Sequence, residues 1–354
     1  MSYKQVYRQL FIELRKKLTD ASLAQVRNQA LLTQALGYSS NCHLATLATL
    51  LLVPGQRENL VQRIRRWLAN PATTQQRCYM PLVNQLFAQW SRVEVGLVLD
   101  RTDIEDQRSI LMLAVAAQHR ALPLAWRILP FGATGAESQI ALLKQVRPYL
   151  PQQARITLYG DSEFRAVKVQ RYCRTQRWHW HLGLNSDILF RQGDEGWRPL
   201  QAITVTRGQR RYVQKVLLTK EHVFGPVNLI ADWTRNTDTP RYFALDQRAD
   251  RHSWRRGRKR FWIEPLFRDW KSYGFDLEKN KLVHARRLEA LLIALATATL
   301  WMIHVGQWVI KTDRRVLLEA RHKHDYSIFR LGRDYTLRSQ FMNWPLPVGF
   351  TVSG

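Results

Sequence analysis

The chain has 354 residues, 45% of them hydrophobic, and its 54 Lys and Arg against 28 Asp and Glu leave a net charge of +26 at pH 7. That apolar content excludes a disordered chain, and the length suits two or three structural units with sizeable cores. A pI near 10.6 predicts a field that attracts polyanions, nucleic acid first among them.

Residues 1–90 read as helical. Apolar positions recur at helical spacing in YRQLFIELRKKL, CHLATLATLLL and LVQRIRRWLA, with breaks at GYSSN, VPGQ and ANPATT. This part carries 11 basic and 3 acidic residues. From residue 91 the pattern changes to strands: VEVGLVLD, SILMLAVAAQ and LAWRIL, separated by RTDIEDQR and HRALP. After FGATG come a helix in ESQIALLKQVRPYL, a strand in ARITLYGD, a helix in FRAVKVQRYCRTQ and a strand in WHWHLGLN. Three strands, helix, strand, helix, strand is the order of a ribonuclease H-like α/β fold with a mixed sheet, in which the first and fourth strands lie side by side. RYVQKVLLT, PVNLIAD and RYFALD then alternate as a small β insertion over 187–250.

The basic run RHSWRRGRKR opens the next segment, 251–320, and residues 251–354 together hold 20 basic against 9 acidic residues. LEALLIALATATLWMIHVGQWVI, residues 288–310, is long enough to span a membrane, but Glu289, His304 and Gln307 interrupt it, so a buried core helix is expected. Residues 321–354 read as a loosely structured tail. Cys42, Cys78 and Cys173 have no CxxC spacing, which predicts neither a disulfide framework nor a cysteine zinc site, and the N-terminal residues mix charge where a secretory signal needs an apolar stretch. A cytoplasmic protein is expected.

The chemistry concentrates on three carboxylates. Asp100 ends VEVGLVLD and Asp161 ends ARITLYGD; if those strands are parallel neighbours, both sit at the carboxyl end of the sheet, where open α/β folds put their sites. In RKRFWIEPLFRDWK, Arg260, Glu264, Phe267 and Lys271 follow at offsets of four, three and four, one face of a helix. Carboxylates forced together repel unless a cation neutralises them. Hard oxygen ligands suit Mg²⁺ or Mn²⁺, and two such ions about 3.5–4 Å apart support phosphodiester chemistry. Asp100, Asp161 and Glu264 are therefore the expected catalytic and metal-binding residues. Arg260 and Lys271 are expected to hold backbone phosphates, with Arg256, Arg258, Lys259 and Trp254 of the basic run on DNA.

Each position has a plainer explanation. An Asp at a strand end is commonly a turn former or helix cap, and Glu264 with Arg260 reads equally as an exposed helix pair. Asp103, Glu105, Asp106 and Glu163 compete for the metal role, but the first three sit in a polar turn rather than closing an apolar run. His179 and His181 form an HxH without a third ligand at metal spacing. GxSxG, Walker and strand-following GxGxxG motifs are absent, which removes serine hydrolase, NTPase and dinucleotide readings.

Taken together, these motifs resemble a bacterial insertion-sequence DDE transposase of the insertion sequence 4 family, whose signature is Tyr, two residues, Arg, three residues, Glu, six residues, Lys. Arg260, Glu264 and Lys271 match at those spacings; LVLDRT and YGDSEF resemble the blocks carrying the first and second aspartates. LLTQALGYSSNCHLATLATLL with RIRRWLANP resembles the family's helical N-terminal region, and the likeness spans roughly residues 20–310. The resemblance implies a ribonuclease H-like core with a β insertion before the glutamate, dependence on Mg²⁺ or Mn²⁺, and cleavage of transposon ends followed by strand transfer into target DNA. It also makes a homodimer on double-stranded DNA the expected assembly. The expected organisation is a DNA-binding helical domain in 1–90, the core in 91–186, the insertion in 187–250, core completion in 251–320 and the tail.

Two positions depart from the family pattern. The signature tyrosine is Gly257, with Arg256 or Arg258 as replacements for its phosphate contact; the departure also motivates a second reading, a catalytically idle DNA-binding descendant. Pro265 directly follows Glu264, which predicts a helix start or kink, with Glu264 as cap if Pro265 is the first helical residue.

Overall fold

Ser2 and Ser22 start the first two helices. Each hydroxyl accepts the backbone N–H three residues on, and the side chain of Gln5 or Gln25 accepts the serine N–H in return, a capping box of about 1 kcal/mol. The computed structural model describes residues 1–88, 90, 94–104 and 107–353. Its helical N-terminal part comprises α1 (Tyr3–Lys17), α2 (Leu23–Tyr38), α3 (Leu44–Thr49), α4 (Arg57–Ala69), α5 (Gln75–Cys78) and α6 (Met80–Ala88). α1 buries Val6, Leu10 and Leu14, one side chain per turn, each contributing roughly 1.5–3 kcal/mol of burial.

A ten-stranded sheet follows: β1 (Glu94–Ile104), β2 (Arg108–Ala117), β3 (Arg120–Pro130), β4 (Arg155–Gly160), β5 (His179–Leu184), β6 (Leu189–Gln192), β7 (Arg198–Pro199), β8 (Arg210–Leu218), β9 (Phe224–Asp232) and β10 (Arg241–Leu245). The order across it is β3-β2-β1-β4-β5-β10-β9-β8-β6-β7. β1 to β3 form an antiparallel meander; β1, β4 and β5 are parallel, with α7 (Ala136–Val146) and α8 (Val167–Thr175) as crossovers. The expected adjacency of the first and fourth strands is therefore present. The 187–250 strands continue this same sheet, because β10 pairs antiparallel with β5.

Two strand boundaries differ from expectation. HRALP belongs largely to β3: the turn is only Gln118 and His119, both at positive φ (46° and 62°), the twist that a two-residue hairpin needs. Pro123 is accommodated because β3 is the edge strand. The first residue of VEVGLVLD, Val93, lies outside the described residues, as do Glu105 and Asp106.

The signature stripe is not one regular helix. α9 (Arg251–Gly257) passes into a 3₁₀ stretch (Arg258–Ile263), then α10 (Glu264–Arg268), then a π turn (Asp269–Tyr273). Pro265 accounts for the 3₁₀ geometry where this stretch meets α10. It has no N–H for the Phe261 carbonyl four residues back, and that carbonyl accepts the Glu264 N–H instead. Glu264 is itself helical (φ −57°, ψ −43°), so it is not a cap, and the run changes pitch without breaking. Asp269 ties this run to the sheet through a buried ion pair with Arg120 of β3.

α11 (Ala285–Lys311) holds the long apolar segment. It has the length and apolarity to cross a membrane, yet 89% of its most apolar window is buried inside the protein, against α2, α4, β3 and α12 (Ile328–Met342). The expectation of a core helix fits this burial. The expected loose tail is corrected: α12 packs on α11, with Gly332 against Met302 and Gly306 and Tyr335 edge-on to Trp308. Gly332, Thr336 and Ser339 are half of its six buried residues, which weakens the apolar signal of that face in the sequence. Trp301 and Trp90 donate to the carbonyls of Pro347 and Val352, securing the final segment.

Candidate active site

Parallel pairing of β1 with β4 runs from Glu94 with Arg155 to Leu99 with Gly160. One step further brings Asp100 beside Asp161. Asp100 is not at a strand end as expected, since β1 continues to Ile104 against β2; it stands where β4 stops and β1 loses that neighbour. Asp161 caps a 3₁₀ turn, Ser162–Phe164, by accepting the Glu163 N–H at 2.8 Å. Gly183 on β5 makes room for this turn: a Cβ there would stand 2.7 Å from the Ser162 nitrogen and 2.9 Å from the Asp161 carbonyl carbon.

Burial is the main force on Asp100 and pushes its carboxyl up to about 7. The Arg101 N–H, 2.8 Å away, works against that rise, and the charges of Asp161 and Glu264 add to it, while Arg260 offsets them. The structure thus brings Asp100, Asp161, Glu264 and Arg260 into one electrostatic neighbourhood. Glu264 is exposed; Asp100 and Asp161 are half-buried. None of the three carboxylates forms an ion pair among the described residues.

The competing acids are otherwise engaged. Arg101 donates to Asp103 at 2.7 Å and to Glu163 at 2.9 Å; Ser109 also donates to Asp103, and the Thr134 N–H and hydroxyl donate to Glu163. Glu105 and Asp106 lie outside the described residues. Lys271 pairs with Glu278 at 2.9 Å, not with Glu264. His179 is bonded to Asp246 at 2.6 Å.

Two cavities share Arg241 and Phe243, and the smaller of them reaches Asp161 of the acidic cluster. One of about 670 Å³ is lined by Asp161, Arg260, Asn185, Arg241 and Phe243. The other, about 1000 Å³, shares Arg241 and Phe243 and adds Arg210, Arg251, Arg255, Arg258, Trp254, Phe261, Trp262 and His181. Trp254 lies beneath the Arg210 guanidinium, 3.6 Å from ring centroid to Cζ, and Arg258 is 5.9 Å from the same ring. Arg256 donates to Gln247 at 2.7 Å, and the Lys259 ammonium is 6.0 Å from the Trp262 ring. Five arginines around aromatic rings suit a polyanion that also carries flat bases.

His181 and Gly257 form a pair that sequence reading missed. A Cβ on Gly257 would stand 2.3 Å from Cε1 and 2.4 Å from Nε2 of His181, so a side chain at the tyrosine position requires the ring to move. Burial, with Arg256 and Arg260 adding to it, pushes the His181 ring down to about 3 and keeps it neutral. The arginines from the β insertion were also missed. Arg210, Asp232 and Arg241 are register partners across β8, β9 and β10, with Asp232 2.7 Å from Arg210, and the only trace in the sequence is a charged residue at or near three strand ends.

Among the described residues, no three His, Cys, Asp or Glu side chains close to metal-holding distance. The donor chemistry nevertheless fits a hard divalent cation: three carboxylates without basic partners, one with its anion disfavoured by burial and by the other two.

No curated protein matches the chain. Among solved structures, the piggyBac transposase synaptic complex with hairpin DNA is similar over 96% of this chain and 78% of its own, at 10% identity and a TM-score of 0.47. The family model described as the transposase DDE domain matches residues 107–301, more than half the chain, including Asp161, Glu264 and Lys271, with Asp100 just upstream. The chain therefore belongs to the transposase DDE domain family and is an enzyme of DNA transposition.

Proposed function

We propose that the protein cleaves transposon ends and joins the freed 3′ ends to target DNA, with Asp100, Asp161 and Glu264 as its catalytic carboxylates. The observation that carries this reading is the parallel register of β1 and β4, which puts Asp100 and Asp161 side by side within electrostatic reach of Glu264. The same three carboxylates would hold two Mg²⁺ or Mn²⁺ ions, which when bound supply activation of the attacking hydroxyl and stabilisation of the leaving oxygen. Arg260 neutralises phosphate charge at the cluster, and Lys271 holds backbone once Glu278 releases it. Trp254, Arg256, Arg258 and Lys259 grip DNA along the basic run. We assign the chain to the insertion sequence 4 family on the spacing of Arg260, Glu264 and Lys271, and its core to the ribonuclease H-like class on strand order. Residues 1–90 serve as a DNA-binding domain, and the working form is a homodimer on double-stranded DNA in the bacterial cytoplasm.

The test is incubation of purified protein with its own inverted-repeat ends and Mg²⁺. Metal-dependent nicking at those ends is expected, and full activity in Asp161→Ala or Glu264→Ala would overturn the assignment. A second reading, a catalytically idle DNA-binding descendant, is favoured by Gly257 at the signature tyrosine position, where the His181 ring crowds any side chain. Binding of the ends without metal-dependent nicking would select it.

A further inference from the structure

A third cavity, about 790 Å³, is built from two distant stretches of chain: α3 and α4 on one wall, and residues 279–287 on the other. Arg65 and Arg66 of α4, Lys281, and Arg287 of α11 line it, and none of these four cations is in an ion pair among the described residues. No Asp or Glu among the described residues lines it. Four uncompensated cations facing one groove repel one another, a cost that an anionic occupant removes.

The two walls are fixed before anything binds. The Cys42 N–H, at the entry to α3, donates to the Phe275 carbonyl at 2.7 Å, stapling the helical part to the connection that leads into α11. Within that connection the Asn280 side chain accepts the Leu282 N–H at 3.0 Å and donates to the Leu277 carbonyl. A further feature points to an acceptor-rich ligand. His284 gives α11 no side-chain cap, and the first turn carries no acid, leaving N–H donors at the groove's edge. Leu44, Val61 and Leu282 supply apolar surface for sugar faces.

We infer that this groove holds the sugar–phosphate backbone of duplex DNA, clamped between α4 and the 279–287 segment. The inference rests on the reading of the chain as acting on DNA. The α3–α4 wall lies outside the matched residues 107–301, so the family match does not assign it. Binding is through charge and the helix terminus, and is therefore indifferent to base sequence. Lys279 on the groove wall directly follows Glu278, the partner of Lys271.

The experiment is fluorescence anisotropy of the full chain with a labelled duplex of arbitrary sequence across a salt series, comparing wild type with Arg65→Ala/Lys281→Ala. Both side chains are exposed, so the double variant folds, which a melting curve checks. Removing one cation from a phosphate lowers the slope of log K against log salt by about 0.9, so a reduction of about 2 and a roughly tenfold or greater weakening at low salt are expected. Arg65→Glu/Lys281→Glu weakens binding further. An unchanged slope overturns the inference, as does a slope change seen only with duplex RNA of the same sequence. Nicking in wild type with an unchanged slope sinks the groove alone; absent nicking with the expected slope change sinks the catalytic reading alone.

Discussion

Two groups of carboxylates meet at the end of β4, and they differ in what balances them. Asp103 and Glu163 share Arg101 and receive hydroxyl and backbone donors from Ser109 and Thr134. Asp100, Asp161 and Glu264 have no ion-pair partner among the described residues, and burial with mutual repulsion lifts the Asp100 carboxyl to about 7. The first group holds the β1–β2 hairpin against the turn after β4. The second keeps an unneutralised charge where stability alone would not, and such a site suits an exchangeable cation and substrate. Residues two or three positions apart thus have opposite roles, and the partner, not the residue type, separates them.

The largest expected effect breaks the second group. Asp100→Asn, Asp161→Asn or Glu264→Gln lowers end cleavage on the order of 10³-fold or more, since several kcal/mol of charge stabilisation is lost, while DNA binding in gel shift is retained. The pH dependence of metal-free stability sharpens the contrast. A carboxyl raised from 3.8 to about 7 in the fold contributes stability fully present below 3.8 and lost as pH rises through 7. The stability of metal-free protein therefore falls between about pH 4 and 7, by up to about 4 kcal/mol before discounting for the solvent that reaches this half-buried group, and a falling thermal midpoint reads it. Asp100→Asn flattens that dependence and raises the midpoint at pH 8, and Mg²⁺ stabilises wild type more at pH 8 than at pH 5.

Arg101→Ala attacks the balanced group. It leaves Asp103 and Glu163 without their cation and costs about 1–3 kcal/mol in denaturant unfolding, with little rise in stability at any pH to offset it. Gly257→Ala costs a similar or smaller amount, about 1–3 kcal/mol, because its methyl group meets the His181 ring. Gly257→Ala combined with His181→Ala should be less destabilising than the two single effects added, since each relieves the other. The smallest effect is Glu278→Gln, which frees the half-exposed Lys271: under about 1 kcal/mol in stability, with duplex binding tightened if Lys271 grips phosphate.

Much of the site was legible because its signals are local. Asp100 and Asp161 follow apolar strand runs, and Arg260, Glu264 and Lys271 keep a fixed spacing, so the three carboxylates and their cations are visible in one dimension. The stripe is not one regular helical face: Pro265 imposes a 3₁₀ bond on the Phe261 carbonyl, and the run passes through 3₁₀, α and π segments. The expected loose tail concealed α12, whose buried residues mix Phe329, Leu331 and Tyr335 with Gly332, Thr336 and Ser339 and so give only a weak apolar period. Arg101 as a partner of Asp103 and Glu163 depends on hydrogen bonds that reach up to 62 residues along the chain.

Sequence alone determined the element types, through periods of two and 3.6, the basic field, and the three carboxylates with their neighbouring cations. Only the tertiary structure decided which carboxylates are neutralised, that Gly257 is glycine because His181 fills its space, and that Arg210, Asp232 and Arg241 align across three strands. It also decided that α4 and residues 279–287 face one groove. Backbone periodicity is carried by neighbours within one or two turns of chain, whereas register, close approach and charge pairing join residues that only folding brings together.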